Sequence, residues 1–437
     1  MISRWFEERL RLRALQRQYG RKAFPVHSTF FLGEIALSSF LILILTGVYL
    51  GLIYTPSNVE ISLAGQQLPE AFASVRLIES IPVANLIRNV HHWAAHVMIA
   101  SIVLHSLRVF FTGTYRRPRE LTWLLGVVLL VLTLAAGFVG YGLPWDAFAV
   151  TATGIGYGLA RSVPLVGQLL AELVFGGTFP SLGSLPRLYT LHVVVLPATI
   201  AAVLTGHLLL VMQLKHSQPG YARRLAGSAR VLGISLWPSH AVLAGVLLFL
   251  LLGGLSLLGG FVAVHPLAAY GPPTPATPAV KPDWYLLWIF GVLKLIPAGV
   301  GFSLGPLVIG PEFLGGVLVP GVVIGTLALV PWLDRSNRGP AGRFEYLVPP
   351  QQAPWRLALG IGVLGWLGLL LVAAEVDLSG LSAAQQWLLV LGLPVMVSGG
   401  LYGWLRRRRG GAVLASDSAV SEGDVGDAGQ VDAVGAD

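Results

Sequence analysis

The 437-residue chain contains no cysteine. That excludes disulfides, thiolate-held zinc, cysteine-held iron–sulfur clusters, thiol catalysis and thioether-attached haem. Charge is also scarce. Charged residues make up 11 %, against roughly 25 % in soluble domains. Hydrophobic residues reach 54 % and the mean hydropathy is +0.72. So few charges cannot cover a soluble surface, and the composition is that of a polytopic membrane protein. The first 25 residues hold no apolar core of the kind a secretory signal needs. No short-period repeat is present.

The net charge of +8 is unevenly spread. Residues 411–437 carry six acids and no base, which leaves the first 410 residues at +14. This basicity suits cytoplasmic loops facing anionic lipid better than nucleic acid. The fold class that follows is all-α, with eight transmembrane helices. The apolar runs are Phe30–Tyr54, Leu86–Phe111, Trp123–Leu143, Leu188–Leu214, Ala241–Val264, Phe313–Leu333, Trp355–Ala374 and Gln386–Leu405. Each is long enough to cross about 30 Å of hydrocarbon. Tyr285–Ile309 is apolar too, but Pro297 and Pro306 break it, so a short buried helix within a loop is expected there. Alternate loops hold 21 and 5 basic residues. The positive-inside rule then puts both termini in the cytoplasm of a bacterial-type cell membrane. Four regions are expected: a cytoplasmic amphipathic segment 1–29, a four-helix bundle 30–214, a four-helix domain 215–405 and a disordered acidic tail 406–437.

The histidines carry the chemistry. His91 and His105 lie 14 residues apart in the second span, and His192 and His207 lie 15 apart in the fourth. At about 100° and 1.5 Å per residue, each pair keeps one helix face and stands about 21–22 Å apart. The two spans run the same way. His91 is therefore level with His192, and His105 with His207. Two bis-imidazole sites stacked across the bilayer follow from the spacing. Without cysteine, such sites suit two non-covalent b-type haems, making the first four spans a dihaem bundle. A membrane histidine can also serve as a hydrogen-bonding or proton-relay residue. His92 and His96 point away from the His91 face and are read as non-ligands. Arg88 and Arg108 stand three residues outside His91 and His105, placed to meet haem propionates or to snorkel towards headgroups. Gly33 and Gly47, and Gly126 and Gly140, repeat the 14-residue spacing on the flanking spans. They are read as clearance for the porphyrins.

RNVHHW, GYGLPWD, LHVVVLP and PDWY together resemble cytochrome b of the cytochrome bc and bf complexes, over roughly residues 25–405. The 15-residue gap, ASVRLIES and SVPLVGQLLAEL are similar to the bf type, while the unbroken eight spans are similar to respiratory cytochrome b. The position of the bf-type haem-linking cysteine is Phe31, so that covalent haem is not expected. The resemblance implies a quinol-oxidising subunit that works with a Rieske iron–sulfur protein, cytochrome c or an equivalent acceptor, lipid and a second copy of the complex. It implies that Asp283, where most relatives have Glu, accepts the quinol proton beside Tyr285. A helix-capping loop carboxylate is the plain alternative. The Asp is expected to accompany a low-potential quinone such as menaquinone. Tyr141, Pro144 and Trp145 are implied in the quinol pocket wall, or else form a helix stop with an aromatic anchor. Lys215, His216 and His240 are candidates for the inner quinone site, or else interfacial snorkelers. Two other classes remain open: a dihaem anchor of another quinone-linked enzyme, and a transporter with intramembrane histidines.

Overall fold

The computed structural model describes residues 20, 22–25, 27–63, 65–222, 232–264, 280–305, 307–338 and 346–424. Of the expected amphipathic segment 1–29, residues 1–19, 21 and 26 lie outside them. Among the described residues, eight helices are long and apolar enough to cross a membrane. They are α1 (Ser28–Gly51), α3 (Pro82–Thr112), α4 (Glu120–Tyr141), α7 (Ser184–Leu214), α8 (Leu236–Phe261), α10 (Pro311–Leu333), α11 (Pro354–Glu375) and α12, whose membrane-length part is Ala383–Arg408. Between them lie four shorter helices, α2 (Glu70–Ser80), α5 (Ala147–Arg161), α6 (Gly167–Phe175) and α9 (Trp284–Leu295). Two hairpins also lie in loops: Glu60–Leu63 with Gln66–Pro69, and Phe302–Leu304 with Leu307–Ile309.

The chain divides into two compact units, Met1–Leu347 with Leu370–Val376, and Val348–Leu369 with Asp377–Asp437. This differs from the expected boundary at residues 214 and 215. The reason lies in packing within the first unit. Leu255 of α8 joins Ile42, Val90 and Ala94 in one core, and Asn89 Nδ2 donates to the Gly259 carbonyl at 2.9 Å. Trp123 Nε1 of α4 donates to the Leu327 carbonyl of α10 at 2.8 Å. The fifth and sixth spans are thereby fastened to the first four. In the second unit, Ser398 Oγ donates to the Ala358 carbonyl at 2.8 Å. The backbone of α12 runs on as helix to Asp424. Disorder was expected from residue 406. A helix already nucleated in the membrane adds one hydrogen bond per further residue, and the Ala/Leu-containing stretch at 412–415 does not oppose that.

Three long helices share a local device. The amide of Leu196 bonds the carbonyl of Leu191, Val319 bonds Leu314 and Leu393 bonds Leu388. Each is a wide i→i−5 turn, and Pro197, Pro320 or Pro394 follows by one residue. Proline brings no N–H to the ladder and its ring crowds the preceding turn. A widened turn accommodates that without ending the helix. His192 sits in the first of these turns.

The α3–α4 loop is held to the end of α10 by a buried polar knot. Tyr115, 1 % exposed, donates its hydroxyl to Asp334 Oδ2 at 2.8 Å. Asp334 Oδ1 accepts from the Ser336 amide and hydroxyl, while the Arg117 amide donates to Asn337 Oδ1 at 2.7 Å. Asp334→Ala removes the carboxylate that accepts from the Tyr115 hydroxyl and should cost about 1–3 kcal/mol. Asp334→Asn keeps an acceptor and should lose less. Thermal unfolding of the detergent-solubilised protein should rank the two in that order.

Candidate functional site

The first four spans enclose one apolar core of Phe40, Met98, Leu129 and Ile200, one residue from each helix. Met98 is midway between His91 and His105, and Ile200 lies midway between His192 and His207. The packed layer therefore separates two histidine layers. On one side of it the His91 and His192 rings meet at an interplanar angle of 64° with centroids 6.2 Å apart. A cavity of about 190 Å³ lies at this pair, lined by both rings with Phe40, Gly47, Gly137 and Ile200 among others. On the other side His105 is within electrostatic reach of His207.

Hydrogen bonds orient the first pair. Thr46 Oγ1 donates to the Ile42 carbonyl at 2.7 Å and accepts from His91 Nδ1 at 2.8 Å. His192 Nδ1 donates to the Ala136 carbonyl at 3.0 Å. With both Nδ1 positions protonated, both Nε2 lone pairs are left for a metal, and a backbone or hydroxyl partner on the far nitrogen is the usual support of a ligating imidazole. A metal about 2 Å from each nitrogen fits between rings at this spacing. Among the described residues no three His, Cys, Asp or Glu gather as a metal cluster. The donor set is thus two imidazoles lining one largely apolar cavity, and these residues fit a histidine-held haem. At the second pair, His105 Nδ1 is buried without a hydrogen-bond partner.

The four spaced glycines lie against the histidine rings. Each backs one imidazole. A Cβ on Gly33 would lie 3.4 Å from His105 Cε1, on Gly47 3.3 Å from His91 Cε1, and on Gly126 3.6 Å from His207 Cε1. At Gly140 it would collide with the His192 ring. The first and third helices thus press their bare backbones against the rings of the second and fourth.

The arginines differ from each other. Arg88 Nη1 pairs with Glu79 Oε1 at 3.1 Å, a partner on α2 that the histidine spacing did not suggest. Arg108 lies with its guanidinium 4.2 Å over the Phe30 ring, and its Nε and Nη2 are buried without acceptors. Buried guanidinium donors left open mark a place for an anion.

The PDWY segment reaches the first layer. Asp283 precedes α9, but its side chain makes no capping bond. Instead Asp283 Oδ2 accepts from the Tyr285 hydroxyl at 3.2 Å. Burial and that carboxylate hold the Tyr285 phenol above its ordinary pKa. Tyr285 is 9 % exposed, and a Cβ on Gly137 would sit 2.8 Å from its hydroxyl oxygen. Gly137 also lines the His91–His192 cavity. The carboxylate–phenol pair therefore abuts the first histidine layer. Trp284 Nε1 donates to His96 Nδ1 at 3.0 Å, and His96 Nε2 is 3.0 Å from His92 Nε2. His92 and His96 accordingly bond each other, away from the His91–His192 gap.

Tyr141 ends α4 and meets Phe148 edge-on at 5.5 Å. Pro144 lies in the following turn. Trp145, only 3 % exposed, takes φ 54°, a left-handed backbone that bulky residues rarely adopt. It packs in a core with Val139, Phe175 and Leu188, so it is no lipid-facing anchor. At the other end of the bundle, Lys215 closes α7 with φ 63°, its carbonyl accepting from Arg119 Nε at 3.2 Å. His216 and His240 both meet Phe24, at 4.9 and 4.8 Å between ring centroids. Burial, with Arg108, Arg119 and His240 nearby, pushes the His216 imidazole down to about 4. His240 pairs with Glu34, a residue the motifs did not single out.

Comparison with known proteins places this arrangement. Residues 96–272 match the family described as "Cytochrome b(N-terminal)/b6/petB", and residues 272–387 match "Cytochrome b(C-terminal)/b6/petD". The cytochrome bc1 complex cytochrome b subunit of Streptomyces coelicolor is 35 % identical over 390 residues, covering 86 % of this chain and 70 % of the relative. That of Mycobacterium leprae is 34 % identical over 415 residues, covering 90 % and 74 %. A solved structure described as "Hyperthermophilic respiratory Complex III" matches the fold with a TM-score of 0.69 at 23 % identity, over 92 % of this chain and 99 % of that one. The chain belongs to the cytochrome b family, in the form that joins the N- and C-terminal halves on one polypeptide and serves as the cytochrome b subunit of bc1-type complexes.

Proposed function

We propose that the chain is the dihaem, quinol-oxidising subunit of a bc-type electron-transfer complex. The observation that carries this reading is the His91–His192 pair across its cavity, with the Asp283–Tyr285 pair set against the same cavity at Gly137. Two b-type haems, held by His91 with His192 and by His105 with His207, would supply one-electron transfer across the membrane. Thr46 and Ala136 fix the imidazoles of the first site, and the open donors of Arg108 suit a propionate at the second. The basic-loop asymmetry puts the first site towards the outer face and both termini in the cytoplasm.

At the outer face, Asp283 takes a proton from the quinol hydroxyl, and Tyr285 holds the carboxylate in place until then. One electron leaves for a Rieske iron–sulfur protein and onward to cytochrome c or an equivalent acceptor, and the second crosses the membrane to a quinone at the cytoplasmic face. Proton release outside and uptake inside then separate charge without a proton channel. Lys215, His216 and His240 stand at the end where that quinone is reduced. The short Asp283 side chain accords with a low-potential quinone such as menaquinone. A second copy of the whole complex and bound lipid complete the assembly.

Two outcomes test this. In the isolated complex, Asp283→Asn should cut quinol:acceptor turnover by about 10²-fold while haem content stays the same. Unchanged turnover would remove Asp283 from the reaction, and absence of an iron–sulfur partner would favour a dihaem anchor without bifurcation. Thr46→Val removes the acceptor of His91 Nδ1. It should shift the redox midpoint of one haem only, read by optical titration, since support of the far nitrogen tunes the metal.

A further inference from the structure

The face of α3 opposite His91 carries a row of polar side chains that the mechanism above does not use. Asn89, Trp93 and His96 follow one another by four and three residues, within about 60° around the helix. His91 lies about 140–160° from all three. The row holds the chain on both sides of one loop. Where the chain leaves α8, Asn89 Nδ2 donates to the Gly259 carbonyl at 2.9 Å and Trp93 Nε1 to the Val262 carbonyl at 3.0 Å. Where the chain enters α9, His96 Nδ1 accepts from Trp284 Nε1 at 3.0 Å. An indole N–H can only donate, so the proton of His96 sits on Nε2. His92 Nε2 accepts it at 3.0 Å, which fixes the His96 ring through both nitrogens. The far end of α9 is fastened separately. Lys294 Nζ donates to the Ala374 and Val376 carbonyls at 3.2 and 3.1 Å, and a Cβ on Gly291 would collide with the Leu370 carbonyl. Trp284 stands between Asp283 and Tyr285 in the chain. The Tyr285 ring meets the Trp284 ring edge-on at 5.7 Å and the His96 ring at 6.2 Å.

We propose that His96 is a positioning residue for quinol oxidation, whose bond to Trp284 latches the start of α9 to α3 and so sets Asp283 and Tyr285 against the His91–His192 cavity. The proposal rests on the function given above. Lys294 and Gly291 hold one end of α9, and the Trp284 bond decides where the other end stands. A catalytic group misplaced by about 1 Å can lose most of its effect, and a side chain as short as Asp283 has little reach to make up the error. His96 itself touches no reacting atom and takes no proton from the quinol. One helix thus serves the site from two faces, with His91 lining the cavity and Asn89, Trp93 and His96 holding the loop that carries the carboxylate.

The test uses the isolated complex with the full chain, comparing the native protein with His96→Leu, Trp284→Phe, the double variant and His96→Gln. Haem content, the reduced-minus-oxidised spectrum, and kcat and KM for a menaquinol analogue are measured in each. His96→Leu removes the acceptor of the bond and Trp284→Phe removes the donor. Each should lower kcat about tenfold while KM changes by less than about twofold, with native haem content and spectrum. The double variant should be no slower than either single one, because all three lack the same bond. His96→Gln should stay near native, since its amide oxygen accepts from the indole and its amide N–H donates to His92. Native kcat in either single variant, losses that multiply in the double variant, or His96→Gln as slow as His96→Leu overturns the proposal. Trp284 is 43 % exposed, so Trp284→Phe decides the matter should His96→Leu fail to assemble with its haems. A failed latch leaves Asp283→Asn slow, whereas native turnover in Asp283→Asn, or no quinol oxidation by the native complex, overturns the functional reading itself.

Discussion

The facing of imidazoles across an apolar gap is the constraint from which the rest of the first unit follows. A histidine in hydrocarbon is costly unless its polar atoms are engaged. Here the Nδ1 atoms of His91 and His192 are occupied by Thr46 and by the Ala136 carbonyl, and both rings line one cavity. The flanking helices come close to the rings: a Cβ would collide with the ring at Gly140, crowd it at Gly47, and touch it at Gly33 and Gly126. The core of Phe40, Met98, Leu129 and Ile200 then keeps the two layers apart. Sequence spacing, backbone approach and side-chain tautomer all serve one geometry.

The polar residues outside those layers sort by the end of the bundle they occupy. Asp283 and Tyr285 form a hydrogen-bonded carboxylate–phenol pair beside the first layer. Glu34, His216 and His240 gather at the opposite end under Phe24. The proposed quinone cycle, with proton uptake on one side and release on the other, would use this separation. The buried Tyr115–Asp334 knot belongs to a different task, the attachment of the sixth span to the loop between the second and third.

The eight spans were legible because hydrocarbon thickness sets a length that few soluble segments reach. Their ends were less so. The second span was placed from Leu86, yet the helix starts at Pro82, since backbone hydrogen bonding does not stop where the apolar run does. The loop helices α2, α5 and α6 went unread because each is shorter than a membrane span and mixes polar with apolar residues. Tyr285–Ile309 was rightly read as a short helix broken at Pro297, but the hairpin after it left no clear mark. At the site, period and level revealed the four histidines. Tertiary partners were invisible. Nothing in the spacing says that Arg88 meets Glu79, that His240 meets Glu34, or that Trp145 turns inward in a left-handed backbone. Thr46 carried a signal that could have been used, since it stands one residue before Gly47 on the face that meets His91.

The central claim is that four imidazoles hold two irons in separate layers. Pigment extraction of the purified chain with pyridine measures it most directly. The account predicts two protohaems per native polypeptide and one in His192→Ala, with the other haem's spectrum preserved. A yield below two from the native protein, or full retention of both haems in His192→Ala, would contradict it.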